Sequence, residues 1–344
     1  MPDAMTYSDL RFPQSAILEL TYRCNHRCLF CSCPWDAPQS QYCKGSEMDF
    51  EQWRQTLDVL ETLGVRNVSI SGGEPLLKDC LPDILAYIRG KGCFNTEVPI
   101  ILISNGLAMS EAWLDLFKEY NVHLSMSLPG LETFARHTGV DNAGGVLHWF
   151  EEAKKRGLDT TVNVTVTALN YHELFATLAQ GILAGADTVL LNRFLPGGRG
   201  LAYRSELTLN HDQLNGMLDT AEEVLQLSHR TGSVGTEFPR CIMAHPERYQ
   251  RLRVASICSA AKEFFVIDPS GQVRTCNHSP RVVGHILENP IVTDMDYWNT
   301  FARRRYIPAS CISCHEVDYC DCGCRETAGI VCGDISAKDP CLES

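Results

Sequence analysis

The sequence predicts an α/β protein, a partial (β/α)6 barrel followed by a smaller cysteine-rich module. Three observations predict it. Six short apolar runs alternate with stretches of helical periodicity between residues 15 and 193. The chemically distinctive residues fall where those runs end, which is where parallel α/β folds bind ligands. Beyond about residue 240 the runs shorten, turns multiply and cysteines return in number.

The strand candidates are 15–20, 68–71, 100–104, 122–127, 161–167 and 188–193. Between them, helical spacing marks 49–63, 81–89, 111–120 and 172–184, and a polar loop and helix fill the stretch up to Arg156. In the first helix Phe50, Trp53, Leu57, Leu60 and Leu63 recur every three or four residues, and Gly64 stops it. Alternation of this kind signals βαβ units and a parallel sheet. Its right-handed crossovers curl the sheet toward a barrel, but six strands are too few to close the eight-stranded form. Pro196-Gly197-Gly198-Arg199-Gly200 then breaks the pattern. A helix over 211–229 follows, with Leu214, Met217, Leu218, Ala221 and Leu225 on its apolar face. The predicted division is 1–235 for the barrel and 236–344 for the cysteine-rich module.

The chain has 344 residues, 44% hydrophobic and 21% charged, which is ample for a buried core. Its net charge of -12 and the lack of a Lys/Arg stripe disfavour a nucleic-acid partner. No apolar run is long enough to span a membrane, and residues 1–14 carry no secretory signal core. These features predict a cytoplasmic protein, so the 17 cysteines point to metal ligation rather than to disulfides.

Cys24, Cys28 and Cys31 are spaced Cys-x3-Cys-x2-Cys directly after the first strand. Thiolates are preferred ligands of iron–sulfur clusters. Three of them on a four-iron cubane leave one iron open, as a catalytic zinc keeps one position for its substrate. A zinc knuckle drafting Cys33 or Cys43 is the competing arrangement. Gly72-Gly73-Glu74-Pro75 follows the second strand, where two glycines permit a close bend and Glu74 presents a carboxylate suited to an ammonium group. Ser104 and Asn105 follow the third strand, Ser127 ends the fourth, and Asn163 and Arg193 lie on the fifth and sixth.

The cysteine loop resembles that of the radical S-adenosylmethionine (SAM) enzymes. The resemblance implies that the open iron chelates the amino and carboxylate groups of SAM, and that an electron from the cluster splits SAM to a 5'-deoxyadenosyl radical. It also implies that Phe30 lies near the adenine, that Gly72, Gly73, Glu74 and Pro75 form the motif binding the SAM amino group, and that Ser104, Asn105 and Ser127 line the site. Arg136 would pair with the SAM carboxylate, although Pro129 replaces the family's usual Asp nearby. A solvated surface charge is the alternative for Arg136. Asn163 and Arg193 are pocket candidates.

The later cysteines resemble the SPASM extension of that family: Cys258, Gly271-x4-Cys276, Cys311-x2-Cys314-x5-Cys320-x3-Cys324 and Cys341. By resemblance, Cys258, Cys276 and Cys324 serve a first auxiliary [4Fe-4S] cluster, and Cys311, Cys314, Cys320 and Cys341 a second. Cys241 would complete the first, or that cluster keeps an open site; alternatively Cys241 returns a hydrogen atom to the substrate. Cys322 stands where the family often has Gly, so Cys322 and Cys332 are alternative ligands. A zinc-holding module is the competing arrangement here too. Cys33, Cys43, Cys80 and Cys93 are expected to be small, at least half-buried residues. Arg199 is expected to contact SAM or a substrate carboxylate, a rigid linker being the alternative.

The expected function is therefore a radical SAM/SPASM oxidoreductase with three [4Fe-4S] clusters and SAM. It would modify a ribosomal peptide by cross-linking, oxidation or epimerisation. The alternatives are a dehydrogenase, epimerase or decarboxylase of a small molecule (aminosugar, cyclitol or tetrapyrrole), a non-catalytic iron–sulfur scaffold, and a zinc enzyme. An external flavodoxin- or ferredoxin-type electron donor is implied. Only 23 residues precede Cys24, too few for a winged-helix leader-binding domain, so a peptide substrate would use a separate recognition protein, or none.

Overall fold

β1 (Ser15–Glu19), β2 (Asn67–Ser71), β3 (Ile100–Ser104), β4 (Val122–Ser127), β5 (Thr160–Val166) and β6 (Thr188–Arg193) pair in chain order, all parallel. The computed structural model describes residues 11–92, 94 and 97–342; residues 1–10 of the stretch read for a secretion signal, and Cys93, lie outside them. Each strand bound agrees with the expected one to within a residue.

Helices α1 (Phe50–Thr62), α2 (Leu81–Gly90), α3 (Glu111–Glu119), α4 (Phe134–Thr138), α5 (Ala143–Lys155) and α6 (Leu174–Ala184) make the crossovers. α1 begins where it does because Asp49 and Gln52 form a reciprocal cap: the Gln52 amide donates to the Asp49 carboxylate at 2.9 Å, and the Asp49 amide donates to the Gln52 side chain at 3.1 Å. Trp53, Leu57 and Leu60 of α1 are fully buried against the outer face of the sheet. α6 starts later than its periodicity suggests, after a 3-10 turn at Tyr171–Glu173. The Glu173 carboxylate there turns back to accept the amides of Leu131, Glu132 and Thr133 at 2.7–3.0 Å, fixing the loop that leads into α4.

The strand series does not stop at Arg193, as the sequence suggests it should. After α7 (Arg204–Leu207) and α8 (His211–Ser228), β7 (Thr231–Val234) and β8 (Leu252–Val254) add two more parallel strands beside β6. Thr-Gly-Ser-Val and Leu-Arg-Val are too short and too polar for a period to register. β9 (Phe264–Ile267) then returns to the other side of β1 and pairs with it in parallel, and β10 (Gln272–Arg274) and β11 (Val282–His285) follow antiparallel. One eleven-stranded sheet results, in the order β11-β10-β9-β1-β2-β3-β4-β5-β6-β7-β8. α9 (Met295–Ala302) and α10 (Arg325–Cys332) complete the C-terminal region. Among the described residues, no helix is long and apolar enough to cross a membrane.

Candidate functional site

A cavity of about 580 Å3 opens across the C-terminal ends of the strands. Glu19 of β1, Ser71 of β2, Ser104 of β3, Ser127 of β4, Thr165 of β5 and Arg193 of β6 all line it. Its volume lies within the range of nucleotide-sized ligand pockets.

The bond ladder between β1 and β2 continues past both strands into the site. The amides of Leu20, Gly73 and Glu74 donate to the carbonyls of Ser71, Thr21 and Arg23 at 3.0, 2.7 and 2.8 Å. A Cβ on Gly73 would stand 2.1 Å from the Arg23 carbonyl oxygen, and one on Gly72, whose φ is +137°, would stand 2.8 Å from that of Thr21. Only glycine lets these backbones lie so close, and the cysteine loop is thereby set against the turn carrying Glu74. Glu74 is 1% exposed. Its carboxyl accepts the Ser104 hydroxyl at 2.8 Å and the amides of Asn105 and Leu76 at 2.7 and 3.2 Å. Burial pushes its pKa up to about 7, although those three donors pull it down. A cation would favour the charged form. Pro75 opens the 3-10 turn Pro75–Leu77 behind Glu74 and does not line the cavity.

Cys24, Cys28 and Cys31 all line the cavity beside Glu74. Their loop is tied down by the amides of Arg27 and Leu29, which donate to the carbonyls of Thr138 and His137 at 2.8 and 2.7 Å. The Asn105 side chain donates to Asn25 at 2.7 Å and lies 3.8 Å from the Cys24 sulfur. Phe30 faces the cavity with its ring 5.8 Å from that of His137. Burial raises the pKa of Cys24 and Cys28, and the neighbouring thiols raise both further. Cys31 is held below the usual thiol value by a hydrogen bond from Cys33, against burial. The Arg199 charge lowers Cys28 and Cys31 but does not overcome burial at Cys28, and an iron–sulfur core would supply the further positive charge that three thiolate ligands need. The donor set therefore fits a cubane held at three corners.

The two arginines expected at the site are placed differently. Arg136 is an exposed side chain facing Glu206 at 3.7 Å, outside the cavity wall, because α4 points it outward. Arg193 does reach the wall, but its charge is taken: the guanidinium pairs with Asp339 at 2.6 Å and donates to the Glu237 carbonyl at 3.0 Å. Burial works against its charge, yet Asp339 and the nearby thiols of Cys341 and Cys324 hold its pKa above the ordinary value. Ser127 and Asn163 line the cavity, with Asn163 accepting a 3.0 Å bond from Asn192. Arg199 contacts the cysteine loop rather than leaving its guanidinium free for a ligand. It donates to the Cys28 carbonyl at 3.2 Å and pairs with Asp36 at 2.7 Å.

The later cysteines form two groups. Cys258, Cys276 and Cys324 are buried, line the far wall of the same cavity and raise one another's pKa, burial being the larger cause. Cys311, Cys314 and Cys320 form the second group, and Cys322 joins it beside Cys320 and Cys311. Cys241 sits with this second group and does not line the cavity. It is therefore placed neither to complete the first group nor to return a hydrogen atom inside the cavity. Cys341 is buried near Cys241 and Arg193, whereas Cys332 and Cys43 are exposed and Cys80 is half-buried. Among the described residues, no three His, Cys, Asp or Glu side chains converge tightly enough to hold a single metal ion.

Two buried aspartates organise these groups. Asp321 accepts the Cys258 amide at 2.7 Å and pairs with Arg304 at 2.5 Å and Lys262 at 3.1 Å. Asp339 accepts the amides of Cys324 and Cys341 at 2.6 and 2.8 Å as well as Arg193. Cys322 and Gly323 have φ of +62° and +84°, and a Cβ on Gly323 would meet the Asp339 carboxylate at 2.3 Å. Neither aspartate stands out in the sequence. Nor did it single out Glu237, which lines the cavity among the first group; the available hint was that no cysteine stands shortly before Cys258.

A three-thiol loop, a glycine-bounded glutamate and a nucleotide-sized cavity at the strand ends define a class of cofactor-dependent enzyme. Residues 18–179 match the Radical SAM superfamily. The chain carries a radical SAM domain, and such a domain works with a [4Fe-4S] cluster and SAM. The PqqA peptide cyclase of Xanthomonas campestris pv. campestris (strain 8004) is 27% identical over 348 residues, covering 96% of this chain and 87% of that protein. That of Granulibacter bethesdensis (strain ATCC BAA-1260 / CGDNIH1) is 26% identical, covering 97% and 88%. Among solved structures, Streptococcus suis SuiB bound to precursor peptide SuiA superposes with a TM-score of 0.71 at 14% identity, covering 97% of this chain and 76% of that one. Native anSMEcpe with bound AdoMet gives 0.67 at 16% identity, covering 92% and 91%. The likeness extends over both the barrel and the cysteine-rich region, so the fold class expected from the sequence is the one observed.

Proposed function

We propose that this enzyme closes a ring in a ribosomally made peptide by radical chemistry. One observation carries the reading: Cys24, Cys28, Cys31 and the Glu74 carboxyl converge on one cavity. When bound, the cluster and SAM together supply a 5'-deoxyadenosyl radical that abstracts a hydrogen atom. The protein's part is to hold, orient and shield. Cys24, Cys28 and Cys31 would hold the cluster at three corners. Glu74, fixed by Ser104 and Asn105, would accept the SAM ammonium group, and Gly72 and Gly73 allow the close approach. Phe30, Ser127 and Asn163 would line the adenosine side. Arg199 would position the cluster loop through the Cys28 carbonyl.

The names of the curated relatives support a peptide substrate and a cyclising outcome. Cys258, Cys276 and Cys324 would hold one auxiliary cluster, and Cys311, Cys314 and Cys320 a second with Cys341. Cys241 and Cys322 are the competing ligands of that second cluster. By chemistry, though not by sheet, the molecule divides near residue 235. A flavodoxin- or ferredoxin-type protein would deliver electrons in the cytoplasm, and a separate protein would present the peptide's leader.

The test is anaerobic reconstitution with iron and sulfide, followed by reduction with SAM and a peptide encoded beside this gene. Formation of 5'-deoxyadenosine together with a peptide lighter by two hydrogens supports the proposal. Unchanged mass with solvent deuterium incorporated would mean epimerisation. Deoxyadenosine without any peptide change would move the substrate to the small-molecule class, and no deoxyadenosine would leave a scaffold.

A further inference from the structure

Cys258, Cys276 and Cys324 supply three thiols where a cubane has four corners, and Cys241 belongs to the other group. We propose that the carboxylate of Glu237 fills the fourth corner, making the first auxiliary centre an iron–sulfur cluster with three cysteine ligands and one oxygen ligand. The inference rests on the reading that these three cysteines hold a cluster.

Glu237 lies just past the end of β7, in the wall it shares with the three thiols. Its carboxyl shares a hydrogen bond with the Cys258 thiol, and its charge bears on Cys276 and Cys324 as well. The backbone around it is pinned. Arg193 donates to its carbonyl at 3.0 Å, and the amide of fully buried Phe238 donates to the Ala255 carbonyl at 2.9 Å. Together with the bond to Cys258, this sets the carboxyl against the thiols.

Among the described residues, no Lys or Arg forms an ion pair with this carboxylate; the Arg193 guanidinium pairs with Asp339 instead. The Arg193 charge offsets only part of the cost of holding this half-buried carboxylate among three thiols, and its pKa stays above the ordinary value. A metal core is the partner that removes the cost. The other candidate ligands are elsewhere, Cys322 in the second group and Cys332 exposed. Carboxylate is a harder, weaker ligand of such iron than thiolate, so this corner is the exchangeable one, and it faces the cavity.

The test uses the full chain with Cys24, Cys28 and Cys31 changed to Ala, so that only auxiliary centres remain, reconstituted anaerobically with isotopically enriched iron. The EPR and Mössbauer signal that Cys258→Ala abolishes marks the first centre. In Glu237→Ala that signal is expected to shift and to respond to imidazole at about tenfold lower concentration than in the parent. Glu237→Cys is expected to keep the centre, suppress the imidazole response and make its midpoint potential more negative. Loss of the signal in Glu237→Ala with its return in Glu237→Cys supports the same ligand role. A Glu237→Ala signal, potential and imidazole response matching the parent overturns the inference while the cluster reading stands. A parent with no signal that Cys258→Ala removes overturns both.

Discussion

The two cysteine regions are assembled in opposite ways. Cys24, Cys28 and Cys31 come from one loop, fixed by backbone contacts to Gly73, Glu74, His137 and Thr138. The C-terminal thiols are scattered from Cys241 to Cys341, and Asp321 and Asp339 hold the amides of Cys258, Cys324 and Cys341 among them. The first is a preformed ligand loop. The second depends on buried charges, and a buried pair that loses one partner leaves an uncompensated ion. The first centre should therefore fail through its own ligands or through the residues packed directly against their loop, and the second also through buried charges distant in the chain.

The largest effect separates the two regions directly. Changing Cys24, Cys28 and Cys31 to Ser is expected to lower 5'-deoxyadenosine formation by on the order of a thousandfold, while auxiliary EPR signals persist. Loss of those signals as well would break the contrast. Next, Asp339→Asn removes the charge facing Arg193 and weakens the cap on two cysteine amides. It is expected to cost about 3–5 kcal/mol in chemical denaturation and to deplete auxiliary iron, with SAM cleavage retained; unchanged iron content would mean that the aspartate is not an organiser.

Gly73→Ala drives a methyl group into the Arg23 carbonyl. It is expected to reduce SAM cleavage about a hundredfold through misplacement of the loop, with auxiliary spectra unaltered. Arg199→Ala loses one half-buried ion pair and a bond to the Cys28 carbonyl. About 1 kcal/mol is expected, read as a few-fold slower SAM cleavage with peptide affinity unchanged. Smallest of all, Arg136→Ala should alter stability by less than about 0.5 kcal/mol and leave SAM affinity as it is. A tenfold weaker SAM affinity would show that this side chain reaches the cavity after all.

The same contrast explains what was legible in the sequence. Spacing within one loop survives translation into structure, so Cys24-x3-Cys28-x2-Cys31 and Gly72-Gly73-Glu74 could be read directly, as could six strands to within a residue. Side-chain direction could not. Arg136 was a candidate partner for a carboxylate and Arg193 a pocket candidate, but α4 turns the first outward and Asp339, 146 positions away in the chain, pairs with the second. β7 and β8 carry too few apolar residues to be seen, and their pairing comes from the neighbouring strand. Cys241 looked close to Cys258 in sequence, yet the turn at Pro239–Ile242 sends it to the other group.

The partnership of β1 with both β2 and β9 has a consequence for biogenesis. Ser15 sits opposite both Asn67 and Phe264. On the ribosome, the first strand therefore gains one neighbour early and waits for roughly 250 further residues before the second emerges. Throughout that interval its bare edge invites pairing with other nascent chains, and closing so distant a contact is slow. A product terminated before Phe264 would keep the ligand loop yet expose that edge, which makes a polypeptide reaching Ile267 the smallest unit able to pair its first strand on both sides.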